Sequence, residues 1–116
     1  MPNNSRKALG EAAEQRAKCY LEQQGLSWVA SNFSCRLGEL DLIMKEQNTL
    51  VFVEVRYRQS NAYGGALASI DQRKQTKVRR SAELWLQQQH LLDTVPVRFD
   101  VVAIEPNGAE WIKGAF

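Results

Sequence analysis

The sequence predicts a single α/β domain in which helices flank a mixed β-sheet, in the order α-β-β-β-α-β. Three observations carry this expectation. Two segments of helical period bracket a central stretch of strand pattern, and the run Leu50-Val51-Phe52-Val53-Glu54-Val55-Arg56-Tyr57-Arg58 is rich in β-branched and aromatic residues. The length, 116 residues, suits one domain of common size, about 100–150 residues. With 44% hydrophobic and 24% charged residues, the chain has enough apolar material for a core, which excludes a disordered or collagen-like class.

The elements follow in order. Over residues 5–24, Leu9, Ala13, Ala17, Tyr20 and Leu21 recur at three- and four-residue steps, and Gly25 supplies a C-terminal stop. Residues 26–33 are short and mixed and are expected to form a first strand. Two further strands are expected over 37–45 and 50–58, joined by Glu46-Gln47-Asn48-Thr49. A loop with Tyr63-Gly64-Gly65 leads into a helix over 69–89, with Val78, Ala82, Trp85 and Leu86 on one face. A last strand over 97–105 ends at Pro106-Asn107-Gly108, a turn into a short tail. Residues 1–4 are expected to be disordered.

Composition narrows the chemistry. One histidine, His90, leaves no histidine cluster for a metal. Cys19 and Cys35 lack the spacing of a zinc or redox pair and read as buried, reduced thiols. No signal peptide is evident and no run of ~18 apolar residues exists, so a cytoplasmic protein without membrane association is expected. Carboxylates are the main metal-binding chemistry left.

The two central strands, read as an antiparallel hairpin turning on Gln47-Asn48, place Leu40, Leu42 and Met44 opposite Val55, Val53 and Val51 on one apolar face. On the other face Ile43 meets Phe52, Asp41 meets Glu54, and Glu39 meets Arg56. Like charges directly across a ladder are destabilising. Three arrangements relieve them: neutralisation by Arg56 or Arg58, exposure to solvent, or a divalent ion held by hard oxygen ligands. Spacing alone leaves all three open.

Gly38-Glu39-Leu40-Asp41-Leu42-Ile43, followed by Val51-Phe52-Val53-Glu54-Val55-Arg56, resembles the signature of the YraN family of small bacterial proteins. That family is placed in the PD-(D/E)xK nuclease superfamily, beside archaeal Holliday-junction resolvases. The resemblance covers most of the chain. Glu14 ahead of Gly25, Lys74-Gln75, Arg98-Phe99-Asp100-Val101-Val102 and Glu110-Trp111-Ile112-Lys113 match its other landmarks, while the first two motifs at this separation are its specific part. It implies a restriction-endonuclease-like fold. It also implies a Mg²⁺ or Mn²⁺ ion on Asp41, Glu54 and the Val55 carbonyl, with Glu14 completing the acidic cluster. The implied partner is DNA of branched or otherwise unusual structure, and the implied assembly a homodimer.

One position departs from the superfamily pattern. Its lysine, two residues after the second acid, is Arg56 here. Arginine stays protonated and is no general base, yet it holds phosphate or transition-state charge well. Arg56 therefore joins Glu14, Asp41 and Glu54 as a catalytic candidate in the phosphate-binding sense.

The net charge of +2 is unevenly placed: residues 56–80 carry seven basic side chains against one acid, a net +6 that leaves −4 elsewhere. Arg73, Lys77 and Arg80 share a helix flank; with Lys74 and Arg58 they are the expected nucleic-acid contacts. Tyr57, Tyr63 and Trp28 are available for base stacking, although Trp28 and Trp85 are expected in the core. Asp100 is expected to pair with Arg98 or a basic helix residue. The leading functional expectation is a metal-dependent nuclease acting on structured DNA. The alternatives are a DNA-binding protein without cleavage, which Arg56 motivates, and a protein-interaction module using the acidic face.

Overall fold

The computed structural model describes residues 5–58 and 70–116. The expected disorder of 1–4, the Tyr63-Gly64-Gly65 loop and the start of the second helix at Ser69 lie outside them. The chain runs α1 (Ser5–Gln23), β1 (Ser27–Cys35), β2 (Gly38–Glu46), β3 (Thr49–Tyr57), α2 (Gln72–Gln88), β4 (Val97–Glu105) and β5 (Gly108–Ile112). The strands form one sheet in sequential order, antiparallel throughout except for the parallel pair β3–β4. That parallel pair requires a crossover, and α2 provides it. The α/β class and the mixed sheet flanked by helices are those the sequence predicts. β5 is additional: Pro106-Asn107 turns the chain straight back as a hairpin, where a plain tail was expected.

Each helix covers one sheet face. Ala13, Ala17 and Leu21 of α1 pack on Leu42, Met44, Val51, Val53, Val55, Val102 and Ile104. Val78, Ala82, Trp85 and Leu86 of α2 pack on Leu40, Ile43, Leu50 and Phe52. Asp71 caps α2 by accepting a hydrogen bond from the Lys74 amide at 2.8 Å. Leu9 lies outside the α1 cluster and is 51% exposed. The thiols expected to be buried are not: Cys19 is exposed on α1 and Cys35 is half-buried at the end of the edge strand β1. Trp28 is also not core, since it is 45% exposed. It sits on the edge strand, where the register shifts between Trp28 and Ala30, and the Lys18 ammonium lies 4.2 Å from its ring centroid.

A break in strand phase separates the observed hairpin from the expected one. From Glu46↔Thr49 to Leu42↔Val53 the β2–β3 ladder follows the expected register. Beyond it, Asp41–Glu54, Leu40–Val55 and Glu39–Arg56 are not ladder pairs. Leu40 and Ile43 both face α2, while Leu42 and Met44 face α1. A spacing of three cannot share a face in a regular strand, so one residue of phase is lost between them. The same slip occurs across β1, where Ala30 and Phe33, the partners of Ile43 and Leu40, both face α2. Asn32, between them, has φ of 55°. Asparagine tolerates this left-handed conformation better than most residues. Gly38, at φ 149°, then lets the β1–β2 turn approach α2; a Cβ there would lie 3.3 Å from Ser81 Oγ.

Because the break depends on Asn32, Asn32→Val should cost about 1–2 kcal/mol, whereas Asn32→Gly should stay within about 0.5 kcal/mol. Urea midpoints of the two variants compare them directly.

Candidate functional site

The phase break frees Asp41 from the ladder and turns its side chain toward β3. Its Oδ2 accepts a hydrogen bond from the Val55 amide at 2.9 Å. A carboxylate thus takes the place a strand carbonyl would have held, and β2 and β3 part at this point. Glu54, one residue earlier on β3, faces α2 and is 1% exposed. Neither of its carboxylate oxygens has a well-formed hydrogen bond among the described residues; the Asp41 amide favours its charged form, but less than any other neighbouring group.

Two cations approach this pair. Arg56 Nη1 donates to the Val55 carbonyl at 3.0 Å and lies 3.9 Å from Asp41 Oδ2, while Nη2 lies 3.8 Å from Glu54 Oε1. From α2, Lys74 Nζ lies 3.6 Å from the same Glu54 oxygen. Of the three arrangements the sequence left open, exposure fails, because Glu54 is buried. Neutralisation by Arg56 is present, with Lys74 as a second cation; Arg58 takes no part.

The compensation is incomplete on physical grounds. Taking a carboxylate out of water costs several kcal/mol, and long ion pairs with half-wet cations return about 1 kcal/mol or less each. Burial, and then the charge of Asp41, accordingly raise Glu54 to about 7, with Lys74 and Arg56 pulling the other way. Burial raises Asp41 as well, against the Val55 amide and Arg56. Glu14, on α1, is raised to about 6 by burial and by Asp41, partly offset by a hydrogen bond from Asn32. It lines a hollow of about 430 Å³ with Lys7, Gly10, Glu11, Asn32 and Glu39. The structure therefore gathers Asp41, Glu54, Val55, Arg56 and Lys74 in one notch, and places Glu14 within electrostatic reach of Asp41 from the α1 side.

The oxygen set fits a hard divalent cation. It comprises two carboxylates, one without a well-formed hydrogen bond on either oxygen among the described residues, and the Val55 carbonyl. Among the described residues no three His, Cys, Asp or Glu side chains converge to hold a metal. The protein share of the site would be those three groups. Mg²⁺ tolerates such a set because it keeps several waters.

The expected nucleic-acid contacts divide. Arg73, Lys77 and Arg80 are exposed along α2, and Lys74 is half-buried at its sheet-facing edge. Arg58 lies apart: its Nη2 is 2.6 Å from Glu110 and 3.8 Å from Glu105, on the β4–β5 hairpin. Its charge is committed there. Tyr57 is 37% exposed at the end of β3. Tyr63 lies outside the described residues.

On β4, opposite Val53, a second buried acid behaves differently. Asp100 is fully buried and accepts from Arg98 Nε and Nη2, the Trp111 indole and the Gly114 amide at 2.9–3.0 Å. Arg98 also bonds Glu46 at 2.7 Å. Asp100 has its expected partner, Arg98, and a structural role.

Sequence reasoning missed one contributor, Asn32, which shapes the break and bonds Glu14; the signal was an asparagine, a residue that tolerates the left-handed region, in mid-strand opposite Asp41. Lys74 was expected as a phosphate contact; its approach to Glu54 follows from its place one helical turn before Val78, on the sheet-facing side.

The fold and notch define a class: a mixed-sheet α/β protein with a buried glutamate near the carboxyl end of its central strand and a half-buried aspartate on the neighbouring strand. No helix among the described residues is long and apolar enough to cross a membrane. Residues 13–104 match the model of "Uncharacterised protein family UPF0102". The chain is 51% identical to a UPF0102 protein of Ectopseudomonas mendocina (strain ymp), over 97% of this chain and 98% of that protein. It is 52% identical to UPF0102 protein YraN of Escherichia coli (strain SMS-3-5 / SECEC), over 95% of this chain and 85% of that one. A YraN of Shigella dysenteriae serotype 1 (strain Sd197) is 53% identical over the same shares. The chain belongs to the UPF0102 (YraN) family.

The raised Glu54 predicts a pH-dependent stability. The unfolded carboxyl ionises near 4.5 and the folded one near 7. Stability from neutral Glu54 is full below the lower value and is lost as pH rises through the higher one. With chelator present, Glu54→Gln should raise Tm by about 5 °C at pH 8 and by little at pH 5. Equal gains at both pH values, or a loss at pH 8, would contradict the burial argument.

Proposed function

We propose that this protein is a nuclease-like, nucleic-acid-binding domain that hydrolyses phosphodiesters of branched or otherwise structured DNA with Mg²⁺ or Mn²⁺. One observation carries the reading: Glu54 is 1% exposed, has no well-formed hydrogen bond on either oxygen among the described residues, and lies within electrostatic reach of a second carboxylate, Asp41. Buried polar groups are nearly always satisfied in native proteins, and an exception calls for a bound ion, an ordered water or a catalytic role. The superfamily resemblance of the two motifs points the same way.

In this reading Asp41, Glu54 and the Val55 carbonyl hold the cation. When bound, it supplies Lewis-acid polarisation of the phosphoryl oxygen and a nucleophilic water at neutral pH. The protein's own groups do the rest. Val55 N–H fixes one oxygen of Asp41, so the carboxylate is oriented before substrate arrives. Lys74 and Arg56 present positive charge to the phosphate where negative charge develops. Arg56 acts through charge and hydrogen bonds, since it accepts no proton. Arg73, Lys77 and Arg80 track the backbone without reading bases.

The contact of Arg56 with all three candidate ligand oxygens favours a second reading, DNA binding without cleavage. The two separate cleanly. A cleaving protein yields products from junction, flap or single-stranded substrates only with Mg²⁺ or Mn²⁺, and Glu54→Gln or Asp41→Ala lowers the rate at least about 100-fold. Unchanged cleavage in either variant would overturn this assignment of the site. A non-cleaving protein yields no products with any metal, binds DNA with an affinity that falls steeply with salt, and gains cleavage in Arg56→Lys. In both cases, neutralising Arg73 or Lys77 should flatten the salt slope by about one charge each.

A further inference from the structure

We propose that Trp28 and Lys18 form a stacking platform for an unpaired nucleotide beside the notch, so that the DNA taken by this site has single-stranded character on the α1 side. The inference rests on the nucleic-acid reading above and narrows its substrate class. Single exposed hydrophobic side chains are ordinary on protein surfaces, but three features set Trp28 apart. It is 45% exposed on β1, the outer strand of the sheet, so its ring is open to a ligand. Its indole Nε1 donates to Ser31 Oγ at 2.9 Å, which fixes the ring before a ligand arrives. The Lys18 ammonium, reaching over from α1, lies 4.2 Å from the ring centroid and is in no salt bridge among the described residues.

The platform lies close to the acids. Met44, the β2 partner of Trp28, is three residues from Asp41. At about 3.4 Å per residue the separation along the strand is about 10 Å. Three stacked nucleotides at about 3.4 Å each cover that length, and fewer suffice when the strand is extended. Lys18 is one helical turn beyond Glu14 on α1. A cleft of about 190 Å³ between α1 and β1, with Lys18, Ser31, Asn32 and Glu14 in its wall, leads from the Trp28–Ser31 contact to the hollow around Glu14.

Chemistry selects the occupant. An indole face stacks on any nucleobase, and an ammonium answers the phosphate of the same nucleotide. Glu11, Glu14 and Glu39 line this side against Lys7 and Lys18, so a phosphate backbone alone is not attracted here and the base draws the strand in. Paired bases are already stacked on their neighbours, so a ring on the outer strand of a sheet meets a base only where a nucleotide is unpaired. Stacking outweighs an exposed cation–π contact, so the base takes the ammonium's place and Lys18 turns to the phosphate.

Fluorescence anisotropy titrations in Ca²⁺ at low salt test this with two probes, an end-labelled oligothymidylate and a blunt, fully paired duplex. Trp28→Ile keeps a bulky, strand-forming side chain without a flat face. It should weaken oligothymidylate binding about tenfold and duplex binding less than about twofold, while Trp28→Phe stays within about threefold of wild type on both. Lys18→Gln should flatten the salt slope on the oligothymidylate by about one charge. Should Trp28→Ile fail to fold, quenching of wild-type tryptophan emission by the oligothymidylate, lost in Trp28→Phe, carries the test. If wild type binds the duplex but not the oligothymidylate, or if Trp28→Ile matches wild type or weakens both probes alike, the platform is wrong while the DNA reading stands. If wild type binds neither probe nor a branched junction, the DNA reading fails and the platform with it.

Discussion

The hydrogen bond from the Val55 amide to the Asp41 carboxylate is the contact on which the site depends. A strand interior normally satisfies each N–H with a neighbouring carbonyl, and the penalty for leaving one bare enforces regular ladders. Here a side chain does that work. The substitution allows β2 to lose one residue of phase without leaving the amide unpaired, and it parts the strands at the carboxyl end of β3. Asn32 lets β1 follow the same slip, so the edge of the sheet stays continuous around the defect.

The two buried acids show what the defect changes. Asp100 and Glu54 are equally removed from water, at 0% and 1% exposure. Asp100 receives hydrogen bonds from Arg98, Trp111 and Gly114, so its charge is matched and it ties β4 to the chain's tail. Glu54 has no well-formed hydrogen bond among the described residues, with only a weak contribution from the Asp41 amide, and relies on two cations at 3.6–3.8 Å. Packing alone offers no reason to keep such a group, because replacing it by an apolar residue would remove the desolvation cost. The two acids thus differ in how well their surroundings match their charge, and the one with the poorer match lies beside a second carboxylate.

Much of this was legible in the sequence. The strand run at 50–58 and the helical periods placed the elements, and Val97–Glu105 coincides with the expected last strand. The register from Leu42 to Glu46 was readable because a slip would drive polar side chains into the core. Register failed at Asp41, where a side chain replaced a backbone partner, an event that alternation patterns do not encode. The acidic pair was legible; its geometry was not, since the two acids lie side by side across a break and are not ladder partners. Arg58 illustrates the opposite limit. Its place in a basic segment suggested DNA, yet Glu105 and Glu110, distant in sequence, claim its charge. Trp28 misled for a similar reason, because edge position outweighs hydrophobicity.

The central claim is that the opening between β2 and β3 exists to hold a divalent cation. Anomalous diffraction from crystals soaked in Mn²⁺ tests it most directly. The account predicts a peak bound by Asp41, Glu54 and the Val55 carbonyl. A notch without an anomalous peak would contradict it.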